Sequence, residues 1–273
     1  MGAMFLGRES LCRIKNFVID LDGVVYLLDT PIKENIEFLQ FLRSQGVRIA
    51  FLSNNTFLPR EGYVAKLQRM GVEAEVSEVF TSAYVTANYL AKKVPRGRVY
   101  AIGEEGLKEE LRRVGLRLVF RLTPQGVDFV VVGLDRHCTF QKLKTALDFL
   151  LGGAELIGTN PDPTYPTESG VIPGAGAILA ALERASGKRA HVIGKPSPDI
   201  LLFLLEAMGF QREETAIVGD RIDTDVLLGK NCGVFTILVL TGVAKREEAH
   251  SSPVQPDVVV NTLQDLKALV GRR

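Results

Sequence analysis

The chain lacks tryptophan, has few cysteines, and contains no long apolar run among its 273 residues. Cys12, Cys138 and Cys232 are far apart in the sequence and odd in number, which argues against a disulfide framework and for a reducing compartment. No segment approaches the roughly 18 consecutive apolar residues of a membrane-spanning helix, and the amino terminus lacks the apolar core of a signal peptide. These absences argue against a secreted disulfide-rich scaffold and an integral membrane protein, and we expect a soluble, cytoplasmic protein.

The chain also lacks an excess of charge of either sign. Its 33 Lys and Arg residues nearly balance its 32 Asp and Glu residues, which leaves a formal net charge of +1. This balance gives none of the positive surface with which proteins bind nucleic acids or anionic membranes, so we expect neither as a partner. The apolar content of 46% and the charged content of 24% are those of an ordinary globular protein, long enough for one large domain or two modest ones.

Residues 17–25, Phe-Val-Ile-Asp-Leu-Asp-Gly-Val-Val, are the most informative stretch of the sequence. An apolar run that ends in two carboxylates predicts a buried strand whose carboxyl end opens into a site. Asp20 and Asp22 would share one face of an extended chain, where they repel each other unless a cation or a shared proton relieves them. Gly23 lets the backbone turn sharply and bring its N–H groups close to a ligand. The motif predicts a bound metal ion, with a pair of turn formers as the alternative for these residues alone.

Strand-like and helix-like segments alternate along the rest of the chain, which predicts an α/β protein with a largely parallel sheet. One helix is expected over residues 31–41, and the Pro- and Gly-rich residues 159–176 are expected to form a loop. About 140 residues separate a predicted strand end at Ser53 from another at Lys195, far more than a crossover connection needs. An inserted domain within that interval is the simplest explanation.

A second acidic cluster, with Asp220, Asp223 and Asp225, follows a later apolar strand. Asp223 suits the N-cap of a helix, whereas Asp220 comes too early for that role. The carboxyl ends of parallel strands meet at one edge of a sheet, so we expect the two acidic clusters to converge. One carboxylate from each cluster on a hard cation would give the oxygen-rich, partly hydrated octahedral site that Mg²⁺ prefers.

Two further strand ends carry groups suited to an anion. Ser53, Asn54 and Asn55 supply a hydroxyl, amides and backbone donors for phosphate oxygens, with an ordinary turn as the alternative. Lys195 lies between a predicted strand and a Pro-started helix, as a point charge near a helix N-terminus. A lone lysine is usually a solvated surface residue, so its significance depends on the other three strand ends. Together the four provide a nucleophile, an acid, metal ligands and anion donors.

In this order, the four strand ends resemble the four motifs of the haloacid dehalogenase (HAD) superfamily phosphatases. The insertion between the second and third motifs resembles the large α/β cap of class IIA members. Residues 159–162, 173–177 and 194–198 resemble the branch of NagD-like proteins, 4-nitrophenylphosphatases, and phosphoglycolate and pyridoxal phosphate phosphatases. The resemblance implies a doubly wound, Rossmann-like core at residues 1–93 and 187–273, with an inserted α/β cap domain at residues 94–186. The matching motif residues are Asp20-Leu21-Asp22-Gly23-Val24, Ser53-Asn54-Asn55, Lys195-Pro196, and Gly219-Asp220 with Asp225.

The resemblance also implies a role for each motif residue. Asp20 would attack phosphorus and form an aspartyl-phosphate, and Asp22 would protonate the leaving oxygen and then activate the hydrolytic water. Mg²⁺ would be held by Asp20, the backbone carbonyl of Asp22, and Asp220. Asp225 would orient a metal-bound water or Lys195 from outside the ligand set. The residues implied to bind the phosphoryl group are Asp22, Gly23, Ser53, Asn54, Asn55 and Lys195.

The resulting expectation is Mg²⁺-dependent hydrolysis of small phosphate monoesters, namely sugar phosphates, phosphoglycolate-like acids, nucleoside monophosphates or 4-nitrophenyl phosphate. Asp22 favours a phosphatase over a dehalogenase, because an alkoxide leaving group needs a proton and a halide does not. Asp162 and Tyr165, in the cap loop, are candidates for contact with the leaving group, with a simple turn as the alternative. A homodimer is favoured because cap-mediated dimers occur in this branch.

Two alternatives stay open at this point. A phosphoryl-transfer mutase would use the same core, but it usually carries a smaller cap between the first two motifs, where residues 31–41 leave no room for one. A non-catalytic sensor of a phosphorylated ligand would keep the pocket. It would gain little from the crowded Asp20 and Asp22 beyond holding a metal, so hydrolysis is the favoured interpretation.

Overall fold

Two β-sheets organise the chain, one of six strands and one of five. The computed structural model describes residue 11 and residues 13–267. Cys12 therefore lies outside the described residues, whereas Cys138 and Cys232 are free thiols. Helices alternate with parallel strands in both sheets, which confirms the α/β class and the Rossmann-like organisation. Within the described ranges, no helix is long and apolar enough to cross a membrane.

Strands and helices follow one another in short segments along the chain. The strands are β1 (Asn16–Asp20), β2 (Tyr26–Leu27), β3 (Thr30–Pro31), β4 (Arg48–Ser53), β5 (Val79–Thr81), β6 (Arg98–Ile102), β7 (Arg117–Leu118), β8 (Phe129–Val132), β9 (Glu155–Gly158), β10 (Thr164–Thr167), β11 (Gly170–Pro173), β12 (His191–Val192), β13 (Thr215–Gly219), β14 (Phe235–Val239) and β15 (Val258–Val260). The helices are α1 (Lys33–Ser44), α2 (Arg60–Arg69), α3 (Ser82–Lys93), α4 (Glu105–Arg113), α5 (Phe140–Leu151), α6 (Ala175–Ser186), α7 (Pro198–Met208), α8 (Leu227–Cys232) and α9 (Arg246–Ser251). Turns of 3₁₀ helix cover Val76–Glu78, Arg212–Glu214 and Leu263–Leu266, and a π-helical turn covers Ile222–Val226.

Two of the expected elements differ from the structure. The helix expected over residues 31–41 begins at Lys33, because Thr30–Pro31 pairs antiparallel with β2 as strand β3. The expected loop over residues 159–176 contains the antiparallel hairpin of β10 and β11. Pro166 within β10 hides the strand pattern in the sequence, yet a two-stranded ribbon has open edges where proline is tolerated.

The chain folds into two compact units. The first comprises the described residues up to Ser53, residues 64–80, and the described residues from Pro196 onward. The second comprises residues 54–63 and 81–195, and helix α2 is divided between the two. The segment expected to form the cap, residues 94–186, belongs to the second unit, and its boundaries stay a prediction.

Strand β1 lies at the centre of the first unit, in the strand order β15-β14-β13-β1-β4-β5. It pairs in parallel with β13 on one side and with β4 on the other. Phe17, Val18 and Ile19 are fully buried, as expected for a parallel strand covered on both faces. The strand order reverses between β1 and β13, which makes this the switch point where open α/β sheets bind ligands.

The second unit has its own sheet, with the strand order β12-β9-β8-β6-β7. Helices α3 and α5 begin after Thr81 and Thr139, whose hydroxyl oxygens accept backbone N–H groups at 3.2 Å, as N-cap residues do. The apolar strands pack against helices α5 and α6 in a core that belongs to this unit. Its fully buried members include Ile102, Val130, Val132, Ala146 and Leu150.

Candidate functional site

Three buried carboxylates meet at the switch point of the first unit's sheet. Asp20 ends β1, Asp220 follows β13, and Asp225 lies in the π-helical turn Ile222–Val226. One oxygen from each carboxylate lies within 4.8 Å of the others, and all three residues are buried. Like charges at this separation repel each other unless a cation or a proton offsets them. Because hard divalent cations such as Mg²⁺ prefer oxygen ligands, the donor set fits such an ion, and the cluster is a candidate metal centre.

The carboxylate of Asp22 is not part of this cluster. Strand β1 ends at Asp20, and Asp22 lies half-buried in the following turn, where it forms an isolated bridge with Tyr26. Strand β1 thus ends before Asp22, and the expectation that the two side chains share one face stays a prediction. The first motif supplies one carboxylate to the candidate metal centre, not two.

Glycines leave the space that the Asp220 carboxylate occupies. A side chain at Gly23, which has a φ of +79°, would collide with that carboxylate, and so would a side chain at Gly242. We expected the Gly23 N–H to approach a ligand, but it donates to the carbonyl oxygen of Tyr26 at 2.8 Å. The local geometry therefore explains the glycine by its packing against Asp220, and phosphate binding by Gly23 stays a prediction.

The segment between β14 and α9 supports both acidic motifs. The Val243 N–H donates to Oδ2 of Asp220 at 2.7 Å. The Thr241 hydroxyl donates to the Gly23 carbonyl oxygen at 2.6 Å. The one sequence signal of this segment is a Thr-Gly pair soon after an apolar strand, which was too weak to predict a role for it.

A buried asparagine on α1 completes this support. Nδ2 of Asn35 donates to the Val24 carbonyl oxygen at 2.7 Å and to the Thr241 hydroxyl at 3.2 Å. Its Oδ1 accepts the Leu263 N–H at 2.7 Å. The amide is fully buried and makes the hydrogen bonds that a buried polar group requires. The sequence signal, also missed, was one polar residue on the apolar face of an amphipathic helix.

Asp225 is held by its own turn. Its Oδ2 accepts the Arg221 N–H at 3.2 Å and the Thr224 hydroxyl at 3.2 Å. Asp223 is exposed and pairs with the Arg221 guanidinium at 2.8 Å, so it does not cap a helix as its position had suggested. Asp225 thus stands among the clustered carboxylates, and its role beside a metal, as ligand or as support, stays a prediction.

Ser53 lies on the same sheet edge as Asp20. It ends β4, and the parallel register pairs Asp20 with the preceding residue, Leu52. Its side chain is buried. The ends of β1, β4 and β13 therefore bring Asp20, Ser53 and Asp220 to one edge of the first unit's sheet, as we expected from their positions in the sequence.

The remaining residues of the expected site belong to the second unit. Oδ1 of Asn54 accepts the Lys195 N–H at 2.8 Å, and Nδ2 of Asn54 donates to the Lys195 carbonyl oxygen at 3.1 Å and to Oδ2 of Asp162 at 3.0 Å. Nδ2 of Asn55 donates to the Tyr165 hydroxyl at 3.1 Å. The two asparagines of the second motif thus contact Lys195 and both candidate residues of the hairpin region.

Comparison with known proteins places these features in a family context. A family model described as haloacid dehalogenase-like hydrolase matches residues 17–117, and a HAD-hydrolase-like model matches residues 192–266. The acid sugar phosphatase of Staphylococcus aureus (strain NCTC 8325 / PS 47) is 38% identical over 242 residues, which cover 89% of this chain and 92% of that protein. The structure of a p-nitrophenyl phosphatase from Archaeoglobus fulgidus is similar, with a TM-score of 0.89 and 38% identity over 94% of this chain and 99% of that one. A 4-nitrophenylphosphatase from Thermotoga maritima gives a TM-score of 0.88 and 37% identity over 95% and 98% of the two chains.

Proposed function

The chain belongs to the haloacid dehalogenase-like hydrolase family, and from that premise we propose that it hydrolyses small phosphate monoesters through an aspartyl-phosphate on Asp20. It is a phosphatase, as its relatives are. The observation that carries the proposed mechanism is the buried cluster of Asp20, Asp220 and Asp225 at the switch point. Burying three acidic groups together is costly unless they hold a cation, so the cluster supports a catalytic role.

Asp20 and Asp22 carry the chemistry in this proposal. An oxygen of Asp20 attacks phosphorus, the bond from phosphorus to the leaving oxygen breaks, and the Asp22 carboxyl group gives its proton to that oxygen. Asp22, now a carboxylate, accepts a proton from water while the water oxygen attacks phosphorus. Inorganic phosphate leaves, and the Asp20 carboxylate is restored. Ser53 and Lys195 bind the phosphoryl oxygens by hydroxyl and ammonium groups.

General acid–base catalysis alone would not suffice for this reaction. It contributes about 10²–10⁴-fold, whereas phosphate monoester hydrolysis needs accelerations of up to ~10²¹-fold. We propose that Mg²⁺ is held by the carboxylates of Asp20 and Asp220 and the carbonyl oxygen of Asp22. When bound, such an ion offsets negative charge on the nucleophile and on the phosphoryl oxygens.

The proposed substrates are phosphorylated small molecules, with sugar phosphates first. Support comes from the name of the S. aureus relative, an acid sugar phosphatase, and from the nitrophenyl phosphatases among similar structures. The free thiols of Cys138 and Cys232 support a cytoplasmic location, where thiols stay reduced. The homodimer favoured above is tested by light scattering on the purified protein.

Hydrolysis of 4-nitrophenyl phosphate tests the proposed function. We expect turnover with Mg²⁺, loss of turnover with EDTA, recovery on adding Mg²⁺ back, and a fall of at least about 10³-fold in Asp20→Asn, which lacks a nucleophile. The matched control is Asp223→Asn, an exposed carboxylate in the same acidic segment, which should keep activity within about twofold.

Two results would distinguish the alternatives. A folded, Mg²⁺-loaded protein that turns over neither 4-nitrophenyl phosphate nor any member of a phosphorylated-metabolite panel would favour the sensor. Transfer of the phosphoryl group to a second sugar phosphate in preference to water would favour the mutase.

A further inference from the structure

We propose that the Asn54 side chain positions Lys195 and that Asp162 fixes that side chain, so that the side chains of Asn54 and Asp162 do not contact the substrate. The inference rests on the proposed function only for the role of Lys195 in binding the phosphoryl group. The observation is a set of hydrogen bonds, all within the second unit, that occupies both amide hydrogens and the oxygen of Asn54.

The Asn54 side chain forms two hydrogen bonds with the backbone of Lys195. Its Oδ1 accepts the Lys195 N–H at 2.8 Å, and its Nδ2 donates to the Lys195 carbonyl oxygen at 3.1 Å. The side-chain amide thus takes the place that a neighbouring strand would take, and it satisfies both backbone polar groups of one residue. This clamp fixes the point from which the Lys195 side chain extends.

Asp162 uses the second amide hydrogen of Asn54. Nδ2 of Asn54 donates to Oδ2 of Asp162 at 3.0 Å, and an amide nitrogen has two hydrogens to donate. With both committed, Asn54 has no side-chain donor for a phosphate oxygen. The charged acceptor also sets which way the amide is turned, since Asp162 can accept a hydrogen bond but cannot donate one when ionised.

The backbone beneath the clamp is held as well. The Asn54 carbonyl oxygen accepts the Ser82 hydroxyl at 2.6 Å and Nδ2 of Asn160 at 2.9 Å. Oδ1 of Asn160 in turn accepts the Asp162 N–H at 3.2 Å. A side chain at Gly194 would come within 2.6 Å of Oδ1 of Asn54, so this glycine permits the close approach. Several independent contacts therefore define one position for the amide.

The same contacts argue against the substrate-binding roles that we first considered for these residues. A phosphate dianion would repel the Asp162 carboxylate, whereas Asn54 already satisfies that carboxylate with a donor. Asn54 acts on the phosphoryl group through Lys195 in this account, which separates it from Ser53.

A charge swap tests the clamp. Asn54→Asp keeps an acceptor for the Lys195 N–H but replaces both donors with an oxygen that faces Asp162. We expect kcat/KM for 4-nitrophenyl phosphate to fall at least about 30-fold. Adding Asp162→Asn supplies a new donor toward residue 54 and should recover at least about fivefold of that loss. A double variant no better than Asn54→Asp alone would overturn the proposal, because restoring a donor–acceptor pair between residues 54 and 162 would then have no effect on Lys195.

Two further variants test whether the effect of the charge swap is specific to the contact between residues 54 and 162. Asp162→Asn alone can turn its amide oxygen toward Asn54, so its kcat/KM should stay within about threefold of the wild-type value. A loss above about tenfold would mean that the Asp162 charge acts on the substrate, against the proposal. The matched control is Asn55→Asp, because Asn55 donates to Tyr165 and not to Asp162, and Asp162→Asn should not rescue it.

Amide hydrogen exchange followed by NMR tests the clamp without a measurement of enzyme activity. Asn54→Ala removes the acceptor of the Lys195 N–H, so exchange of that amide should accelerate at least about tenfold, whereas Asn54→Asp should leave it near the wild-type rate. Asn54→Ser replaces the alanine variant if the latter does not fold. Unchanged exchange overturns the clamp even in an active enzyme. If the wild-type protein hydrolyses no phosphate monoester, the proposed function is rejected. The exchange rate of the Lys195 amide would still show whether Asn54 holds the Lys195 backbone.

Discussion

At the residue scale, the candidate metal centre depends on side chains that carry no charge. Asn35 and Thr241 are 206 positions apart in the sequence, yet their side chains hydrogen-bond at 3.2 Å. Together they bind the carbonyl oxygens of Val24 and Gly23, in the turn that also carries Asp22. The position of the turn that carries the proposed general acid therefore depends on two uncharged polar residues from other segments.

Replacing Thr241 with valine should expose this dependence. Valine has the same shape but leaves the Gly23 carbonyl oxygen and an Asn35 amide hydrogen without a partner. We expect a loss of about 1–2 kcal/mol in stability, seen as a fall of about 2–6 °C in the thermal unfolding midpoint. Thr164→Val is the control, because Thr164 is exposed. Equal midpoints for the two variants would contradict the prediction.

At the element scale, one aspartate connects the start of β15 to β14 and α8 by hydrogen bonds. Asp257 precedes β15, and its carboxylate accepts the N–H and hydroxyl of Thr236 on β14 at 2.8 and 2.7 Å. It also accepts Nζ of Lys230, on α8, at 2.6 Å. Burial alone would raise the pKa of Asp257, but the hydrogen bonds from Lys230 and Thr236 outweigh it and lower that pKa below its ordinary value.

The contribution of Asp257 to the free energy of unfolding should therefore depend on pH. Because its pKa is lower in the folded state, the contribution is present above the unfolded pKa, about 3.9, and is lost as the pH falls through the folded pKa. We expect Asp257→Asn to lower the free energy of unfolding by about 1–2 kcal/mol at pH 7. Urea denaturation at pH 7, 5, 4 and 3 should show the two proteins converging at the acid end. A constant difference across this range would contradict the assignment.

Elements and site were predictable from the sequence to different extents. The apolar run before Asp20 and the polar strand ends at Ser53 and Asp220 were readable, because each signal lies within one short segment. The hairpin of β10 and β11 was not, since Pro166 obscures its alternation. Asn35 and Thr241 were missed because their partners come from remote segments, and a single sequence does not record which remote residues meet.

At the scale of the whole molecule, the residues that the sequence pointed to are divided between the two units. The acidic cluster and Ser53 belong to the first unit, whereas Asn54, Asn55 and Lys195 belong to the second. Each unit also contains one described cysteine, Cys232 in the first and Cys138 in the second. Burial raises the pKa of the Cys232 thiol to about 11.

These thiols can report on each unit in one experiment. In a Cys12→Ser background at pH 8, we expect Cys232 in the native protein to react with a disulfide reagent at least about 100-fold more slowly than a free thiol, because little thiolate forms. Cys138 is only half-buried and should react sooner. Mass spectrometry of samples labelled across a urea gradient gives both rates. Fast labelling of native Cys232 would contradict the expectation.

The glycines around the acidic cluster restrict how the gene can change. Every single-base substitution that replaces glycine by another amino acid introduces a larger side chain. At Gly23 and Gly242 the added atoms meet the Asp220 carboxylate, and at Gly219 they meet Asp225. Random mutagenesis should therefore recover almost no active variants with another amino acid at these three positions, although glycine has no side chain that could take part in the reaction.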